Sequence, residues 1–330
     1  MTAYLGVDAG NSKTVALVCR ADGTVLGAGR SGCGDIYGAP TEDAAVAEVF
    51  AAIESALDQS GLGRGDIGAG AFRLAGIDWP DDRTYWEQAL DARWPGLTTR
   101  SILNDGYAAI RCGEPSGVGV AVAAGTAAAI AARGADGRLW DMSWWGQHAM
   151  GAMGLVNEAL RAVFLADLGV APPTALTKEL LAFYGRDDLA RLNEWFTRRH
   201  KPATQPERLA AARTVTAVAA QGDEVALAIV DEQGRRLALY ASIAARKVGL
   251  LERVRVVLTG SVLSAPDSPV AAALHRHAAT LLPGANLHGA ALPPAAGAAL
   301  DAIAEAGLSV DAGTVERLGA TAPPPDFLIT

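Results

Sequence analysis

Residues 3–18 read AYLGVDAGNSKTVALV, a segment in which two apolar runs flank a turn of small polar residues. The first run ends at Asp8, and the second begins at Val15. This pattern predicts a strand, a tight turn and a second strand. A turn of small residues exposes backbone N–H groups to a phosphate, and Asp8 at the strand end can hold a hydrated magnesium ion. The alternative is an ordinary hairpin with an incidental aspartate.

The pattern recurs at residues 124–127, where a second turn of small residues lies between two apolar runs. Gly10 is followed by the turn 21–23, and Gly125 is followed by the turn 135–137, at nearly the same spacing. This repetition indicates an internal duplication. Two glycine turns on opposite sides of a cleft can bind a polyphosphate from both sides.

The duplication predicts an α/β protein of two lobes, each with a mixed sheet whose first three strands are antiparallel, and with flanking helices. We expect a first lobe over residues 1–115 and a second lobe over residues 116–294. Residues 295–330 are predicted to form a helix that returns toward the hinge, followed by a tail. Because the tail contains three prolines at 323–325, we expect it to be loosely held.

Two segments carry strong helical signals. Thr41 precedes an acidic first turn and an apolar stripe at helical spacing, and Gly61 follows as the expected C-cap. Most of residues 154–250 are also predicted to be helical, interrupted by glycines and prolines. Residues 253–258 then form a predicted strand that ends at Thr259-Gly260-Ser261.

Composition narrows the function classes. The chain has 330 residues, a net charge of −8 and 50% hydrophobic residues, which is typical of a globular protein and argues against nucleic-acid binding. No apolar run is long enough to span a membrane, and no signal peptide is evident, so a cytoplasmic location is expected. The three cysteines are scattered and form no CxxC, so neither a disulfide framework nor a zinc site is predicted.

Eight segments, in their order along the chain, resemble the BadF/BadG/BcrA/BcrD-type ATPases, a family that includes N-acetylglucosamine kinase-like sugar kinases of the actin-like ATPase superfamily. The resemblance covers roughly residues 3–305. No single segment is decisive, but the order and spacing are specific. The segments are LGVDAGNSKT, FRLAGIDWPDD, ILNDGYAA, VAAGTAAAI, WWGQHAMG, AAQGDEVALAIVDEQGRRLA, VVLTGSV and PPAAGAALDA.

The resemblance implies a two-lobed actin-like ATPase fold, related to ribonuclease H, that uses ATP and Mg²⁺. In the family, the two glycine turns contact the phosphates from opposite lobes, and the loop after the late strand receives the adenosine. The metal would lie near Asp8. The corresponding nucleotide-binding residues in this chain are Gly10, Asn11, Ser12, Lys13, Thr14, Gly125, Thr126, Gly222, Gly260 and Ser261.

Asp105 matches the family's general base, the aspartate at the end of the fourth strand that acts on the sugar hydroxyl. The residue chemistry agrees, because a carboxylate beside an alcohol can accept its proton during phosphoryl transfer. Asp105 also follows a predicted strand, and α/β sheets place ligands at the carboxyl ends of strands. The alternative is that Asn104-Asp105-Gly106 is only a turn or a helix cap.

The chain departs from the family pattern at two places. The second turn reads Gly-Thr-Ala-Ala instead of Gly-Thr-Gly-Ser, and residues 151–154 read Gly-Ala-Met-Gly where the family has an acidic pair that holds sugar hydroxyls. The sugar pocket would then depend on other polar residues. The candidates for sugar binding are Asp35, Gly76, Asp78, Asn104, Gln147 and His148.

Three functions remain open from the sequence. The leading hypothesis is an ATP-dependent kinase acting on an amino sugar (N-acetylglucosamine or glucosamine-like) or a related hexose, with a homodimer as one possible assembly. An activator ATPase of acyl-CoA dehydratases would need cysteines for an iron–sulfur cluster at a dimer interface, but Cys112 is isolated. A nucleotide- or sugar-binding protein that has lost catalysis would explain the missing acidic pair, whereas Asp8 and Asp105 argue against it.

Overall fold

The computed structural model describes residues 1–142 and 150–328. Its first sheet has the strand order β3-β2-β1-β4-β5. Strands β1 to β3 are antiparallel neighbours, whereas β4 and β5 run parallel to β1. The five strands are β1 (Ala3–Ala9), β2 (Thr14–Cys19), β3 (Val25–Ser31), β4 (Ile67–Leu74) and β5 (Arg100–Asn104).

The second sheet repeats this arrangement with the strand order β10-β9-β6-β7-β8. Its first three strands are again antiparallel, and the last two run parallel to the first. The predicted duplication of mixed sheets is therefore confirmed. The strands are β6 (Gly119–Ala124), β7 (Ala128–Arg133), β8 (Leu139–Asp141), β9 (Arg255–Thr259) and β10 (Asn286–Gly289). The short edge strand β10 was not predicted, because it carries little apolar alternation.

Helices flank both sheets, and the described part of the chain contains no helix long and apolar enough to cross a membrane. The ends of α1 are those that the sequence predicts: Thr41 accepts a hydrogen bond from Ala44 N, and Gly61 is left-handed at φ 68°. The helices are α1 (Glu42–Ser60), α2 (Pro80–Arg93), α3 (Ala108–Arg111), α4 (Gly151–Asp167), α5 (Leu176–Tyr184), α6 (Leu189–Thr197), α7 (Gln205–Leu209), α8 (Ala212–Ala220), α9 (Glu224–Lys247), α10 (Pro269–Leu281), α11 (Pro294–Glu305), α12 (Ala312–Thr321) and α13 (Pro325–Leu328).

Helix α11 packs closely against the first sheet. A Cβ on Gly6 of β1 would lie 2.1 Å from Ala299 N, so only glycine permits this approach. A Cβ on Gly297 would similarly lie 2.0 Å from Ala108 O of α3. The helix that follows the second sheet in sequence therefore packs on the first sheet and against the segment that joins the two lobes.

The C-terminal segment is more ordered than the prolines suggest. Helix α12 begins after Asp311, whose carboxylate accepts a hydrogen bond from Thr314 N at 2.8 Å, and Leu318 is fully buried. In the residues that follow α12, Asp326 O and Phe327 O accept hydrogen bonds from Arg30 of the first lobe. We expected a loosely held tail. In the structure, the prolines instead separate two short helices that pack on the first lobe.

A buried ionic cluster joins the elements at the hinge. Asp301 of α11 is fully buried and forms ion pairs with Arg73 of β4 at 2.6 Å, Arg111 of α3 at 2.6 Å and Arg133 of β7 at 2.7 Å. Burial alone would raise the pKa of Asp301, but the three arginines outweigh it and hold the pKa far below its ordinary range. Arg73 also pairs with Glu305 at 2.9 Å. One carboxylate thus connects strands of both sheets.

We predict that Asp301→Asn lowers the free energy of unfolding by about 3–5 kcal/mol, because it leaves buried arginines without their counter-ion. Chemical denaturation of the two purified proteins measures this difference. The matched control is Asp91→Asn, which removes an aspartate that pairs with Arg100 at 2.6 Å but is 63% exposed. We expect the control to unfold like wild type, since exposed ion pairs contribute little. Equal stability of Asp301→Asn and wild type would contradict the role assigned to the cluster.

Candidate active site

The first glycine turn connects β1 to β2 and is closed by a hydrogen bond from Gly10 N to Lys13 O at 2.8 Å. Ser12 is exposed at its tip. Asn11 is also exposed, but it packs on the loop after β3, because a Cβ on Gly38 would lie 2.3 Å from Asn11 Oδ1. Thr14 is fully buried and donates a hydrogen bond to Gly32 O at 3.0 Å. The structure therefore places Thr14 as a support of the turn.

Asp8 lies on β1 just before this turn. Its side chain is partly buried, and burial raises its pKa to about 7, although the charge of Lys13 acts in the opposite direction. Burial in turn lowers the pKa of Lys13. A divalent cation beside Asp8 would supply the positive charge that holds this carboxylate ionised, so the residue fits the predicted magnesium site. In the described residues no group of three or more His, Cys, Asp or Glu side chains forms a metal cluster.

The second glycine turn connects β6 to β7 and rests on the first turn of α4. Ala152 N donates to Gly125 O, and Met153 N donates to Thr126 O, both at 2.9 Å. Gly151 has φ 75°, and a Cβ there would lie 2.7 Å from Ala127 O. The segment that lacks the family's acidic pair is therefore the segment that fixes the position of this turn.

The loop after β9 is built against the second glycine turn. Gly260 has φ 87°, and a Cβ there would lie 2.4 Å from Ala124 O, while Val262 N donates to Ala124 O at 3.0 Å. Ser261 is consequently held close to Gly125. It lines a cavity of about 630 Å³ together with Ala152, Arg213 and Thr216, a volume typical of small-molecule sites.

Gly222 lies elsewhere. It occupies the turn between α8 and α9 with φ 92°, and its neighbour Asp223 caps α9 by accepting from Ala226 N at 2.9 Å. Asp223 lines a different cavity, of about 830 Å³, with Pro172 and Pro173. The structure therefore does not bring Gly222 into the cavity that contains Ser261. The resemblance placed both near the adenosine, but Ser261 lines one cavity and Asp223, the neighbour of Gly222, lines another.

Asp105 starts a 3-10 turn directly after β5. The preceding Asn104 caps this turn, because its Oδ1 accepts from Gly106 N at 3.0 Å. Asn104 also donates from Nδ2 to Ile77 O at 3.3 Å, which ties the loop after β5 to the loop after β4. The turn-and-cap interpretation is thus correct for Asn104, and the Asp105 carboxylate also accepts a hydrogen bond from the backbone of Gly106, which acts to lower its pKa.

Four aspartates of the first lobe come close enough to influence one another. Burial, followed by the charges of Asp8 and Asp35, raises the pKa of Asp105 to about 7. Burial, followed by the charge of Asp105, raises the pKa of Asp78 to about 7. Perturbed carboxylates of this kind are typical of catalytic sites. The sequence predicted all four as site residues through the family resemblance, and the structure adds that they lie close enough to change one another's ionisation.

Gly76 explains how the loops after β3 and β4 approach each other. Its φ is 78°, and a Cβ there would lie 2.5 Å from Asp35 Oδ1. Asp35 in turn accepts a hydrogen bond from Tyr37 N at 2.9 Å. The remaining sugar-binding candidates, Gln147 and His148, lie outside the described residues.

The structure adds Asp141 and Tyr107 to the site. Tyr107 donates a hydrogen bond to Asp141 Oδ2 at 3.0 Å, and Asp141 contributes to the raised pKa of Asp78. The sequence does not point to Asp141, because this residue lies before the segment 151–154 and matches no motif of the family. One sequence signal for Asp141 was available. Asp141 ends the third strand of the second repeat, and the first repeat has no similar residue at the corresponding position.

Duplicated mixed sheets, each with a glycine turn between its first two strands, define the two-lobed fold of actin-like ATPases. The chain belongs to the BadF/BadG/BcrA/BcrD ATPase family, whose model matches residues 5–302. None of the curated proteins matches the chain.

Several solved structures share the fold. A candidate N-acetylglucosamine kinase from Chromobacterium violaceum is 24% identical with a TM-score of 0.66, over 92% of this chain and 99% of that one. Another from Porphyromonas gingivalis is 17% identical with a TM-score of 0.57, over 90% and 96%. A ROK family glucokinase from Streptomyces griseus, in complex with glucose and AMPPNP, is 18% identical with a TM-score of 0.54, over 93% and 99%.

We predict that Asp105→Asn raises the melting temperature of the metal-free protein by roughly 2–6 °C at pH 8. A carboxyl whose pKa is raised on folding contributes its full stability below about pH 4, and this contribution is lost as the pH rises through about 7. At pH 8 the ionised group therefore destabilises the fold, and asparagine removes that charge. Scanning calorimetry at pH 5 and pH 8 measures the effect, which should be smaller at pH 5.

The control for this experiment is Asp136→Asn, an exposed aspartate that pairs with Arg138 in the turn before β8. Its melting temperature should differ from that of wild type by the same amount at both pH values. A lower melting temperature of Asp105→Asn at pH 8 would show that the Asp105 charge stabilises the fold. That outcome would contradict the raised pKa of Asp105.

Proposed function

We propose that this chain is an ATP-dependent kinase that phosphorylates a hydroxyl of an amino sugar (N-acetylglucosamine or glucosamine-like) or a related hexose. The observation that carries the proposal is Asp105, a partly buried carboxylate at a strand end whose pKa is raised to about 7 by burial and by Asp8 and Asp35. A base with a pKa near neutrality is suited to accept a hydroxyl proton. Family membership and the shared fold with sugar kinases support this assignment.

The nucleotide would bind with its phosphates between the two glycine turns. Gly10, Asn11 and Ser12 would contact them from the first lobe, with Lys13 as a nearby positive charge, and Gly125 and Thr126 from the second lobe. The adenosine would lie in the cavity beside Gly260 and Ser261, whose loop packs directly on the second turn. Gly222 does not contact the nucleotide in this proposal.

In the transfer step, the sugar hydroxyl oxygen attacks the γ-phosphorus of ATP, and the bond from that phosphorus to the β–γ bridging oxygen breaks. The hydroxyl proton passes to the Asp105 carboxylate, and ADP leaves with the bridging oxygen. Asp8 would hold magnesium, largely through waters; when bound, the ion neutralises phosphate charge. Lys13 would hold the phosphates in place, and closure of the lobes would exclude water from the reacting oxygen.

We expect Asp105→Asn to lower turnover on the order of a hundredfold or more, because the substitution keeps the shape but removes the proton acceptor. A coupled assay of ADP release, run over a panel of hexoses and amino sugars, measures turnover. Calorimetric titration with a non-hydrolysable ATP analogue should show unchanged nucleotide affinity. Near-wild-type turnover of the variant would place the base elsewhere, and the exposed Asp136→Asn serves as the matched control.

Asp8→Asn tests the magnesium site. We predict that the magnesium concentration for half-maximal turnover rises roughly tenfold or more, since an uncharged amide binds a hydrated cation poorly. Titration of magnesium at fixed ATP in the same coupled assay measures this. The folded state should persist in thermal melts, because the substitution also removes a carboxylate that burial disfavours. An unchanged magnesium requirement would reject the metal assignment.

A second candidate is a binding protein of the same family without catalysis, and Ala152 and Met153 favour it because they replace the family's acidic pair. The same assay separates the two, since such a protein would release no ADP with any sugar. An activator ATPase with an iron–sulfur cluster at a dimer interface fits less well. Cys112 is buried within the chain, with its thiol bonded to Ala108 O and Pro293 O.

A further inference from the structure

The two lobes contact each other through a small apolar cluster. Leu103, Tyr107 and Ile110 from the end of the first lobe pack on Ala121 and Ala131 of the second sheet. The backbone of Gly106 is also close, since a Cβ there would lie 3.4 Å from Ala131 Cβ. The segment that carries Asp105 thus lies directly on one face of the second sheet.

Asp141 stands on that face. It pairs with Ala131 in the β7–β8 register, and residues paired across antiparallel strands point to the same side of a sheet. Its carboxylate accepts the hydrogen bond from the buried Tyr107 hydroxyl at 3.0 Å. Burial and Asp141 both raise the pKa of Tyr107, so the phenol stays protonated and remains a donor. The side chain of Asp141 is therefore held in one orientation by a residue of the other lobe.

The surroundings of Asp141 are those of the predicted sugar site. Asp105 lies two residues before Tyr107, and Asn104 ties that loop to Ile77, the residue before Asp78. Asp141 is partly exposed and close enough to Asp78 to affect its ionisation. A carboxylate of the second lobe is thus close to the first-lobe carboxylates that are candidates for sugar binding.

We propose that Asp141 is a sugar-binding residue supplied by the second lobe, which accepts hydrogen bonds from substrate hydroxyls and takes over the role of the missing acidic pair. Tyr107 is its positioning residue. The inference rests on the proposed sugar kinase function and deepens it. At Ala152 and Met153 the chain offers no carboxylate, and the backbone N–H groups of both residues are bonded to the second glycine turn. Charged acceptors are the strong partners of hydroxyl groups.

The test measures sugar affinity by calorimetric titration of wild type, Asp141→Asn, Asp141→Glu and Tyr107→Phe, each with a non-hydrolysable ATP analogue present. For the sugar of the panel that binds most tightly, we expect Asp141→Asn to weaken binding about 10-fold to 100-fold, as for loss of a hydrogen bond to a charged group. Nucleotide affinity should stay within about twofold of wild type. Asp141→Glu should recover part of the loss, and Tyr107→Phe should weaken sugar binding less than Asp141→Asn.

Asp136→Asn is the matched control, since it removes the same charge from the turn before β8 and should bind sugar like wild type. The inference is overturned if Asp141→Asn binds sugar normally, or if sugar and nucleotide affinities fall together. It is also overturned if Asp141→Asn and Tyr107→Phe lower only the melting temperature, because the pair would then be an interlobe contact alone.

The binding measurement separates this inference from the proposed function. If wild type binds a sugar but transfers no phosphoryl group to it, the kinase assignment fails, while the effect of Asp141→Asn on binding still decides the inference. If wild type binds no sugar of the panel, the role of Asp141 is rejected as well.

Discussion

The carboxylate of Asp301 determines how the two halves of this protein meet. Arg73, Arg111 and Arg133 come from a strand of the first sheet, from the connecting segment and from a strand of the second sheet, and all three converge on it. An arginine buried without a counter-ion is costly, so the three elements are constrained to positions from which they reach Asp301. The close contacts of Gly6 and Gly297 with their neighbours fix α11, and therefore Asp301, against both the sheet and the connection.

The aspartates of the candidate active site have the opposite electrostatic environment. Where Asp301 has three cations around it, Asp8, Asp78 and Asp105 have pKa values that burial raises, and neighbouring carboxylates raise those of Asp78 and Asp105 further. Such an arrangement is unfavourable for folding but useful for binding cations and for accepting protons near neutral pH. These three carboxylates all belong to the first lobe, whereas the hinge cluster fixes the second sheet beside it through Arg133.

The departures from the family pattern have structural consequences in this chain. The first turn of α4 is bonded through Ala152 N and Met153 N to the second glycine turn, so the segment positions the turn that we propose binds phosphate even without its carboxylates. Acidic groups near the cleft come instead from the loops after β3, β4 and β5 and from Asp141 on β8. In the proposed function, the same fold thus keeps its nucleotide-binding turns while the residues that bind the sugar change.

The sequence by itself determined the elements whose signals are local. The hairpins around the glycine turns and the caps of α1 at Thr41 and Gly61 follow from patterns within a few residues, because turns and caps depend on neighbouring backbone groups. The duplication follows from the recurrence of one such local pattern along the chain. Only the tertiary structure decided the rest. Arg73 and Asp301 are 228 residues apart, and Tyr107 and Asp141 come from different lobes. A lone charge within an apolar strand or an alanine-rich helix indicates that a partner is needed. It does not say which one, since that choice depends on how the two sheets and α11 pack.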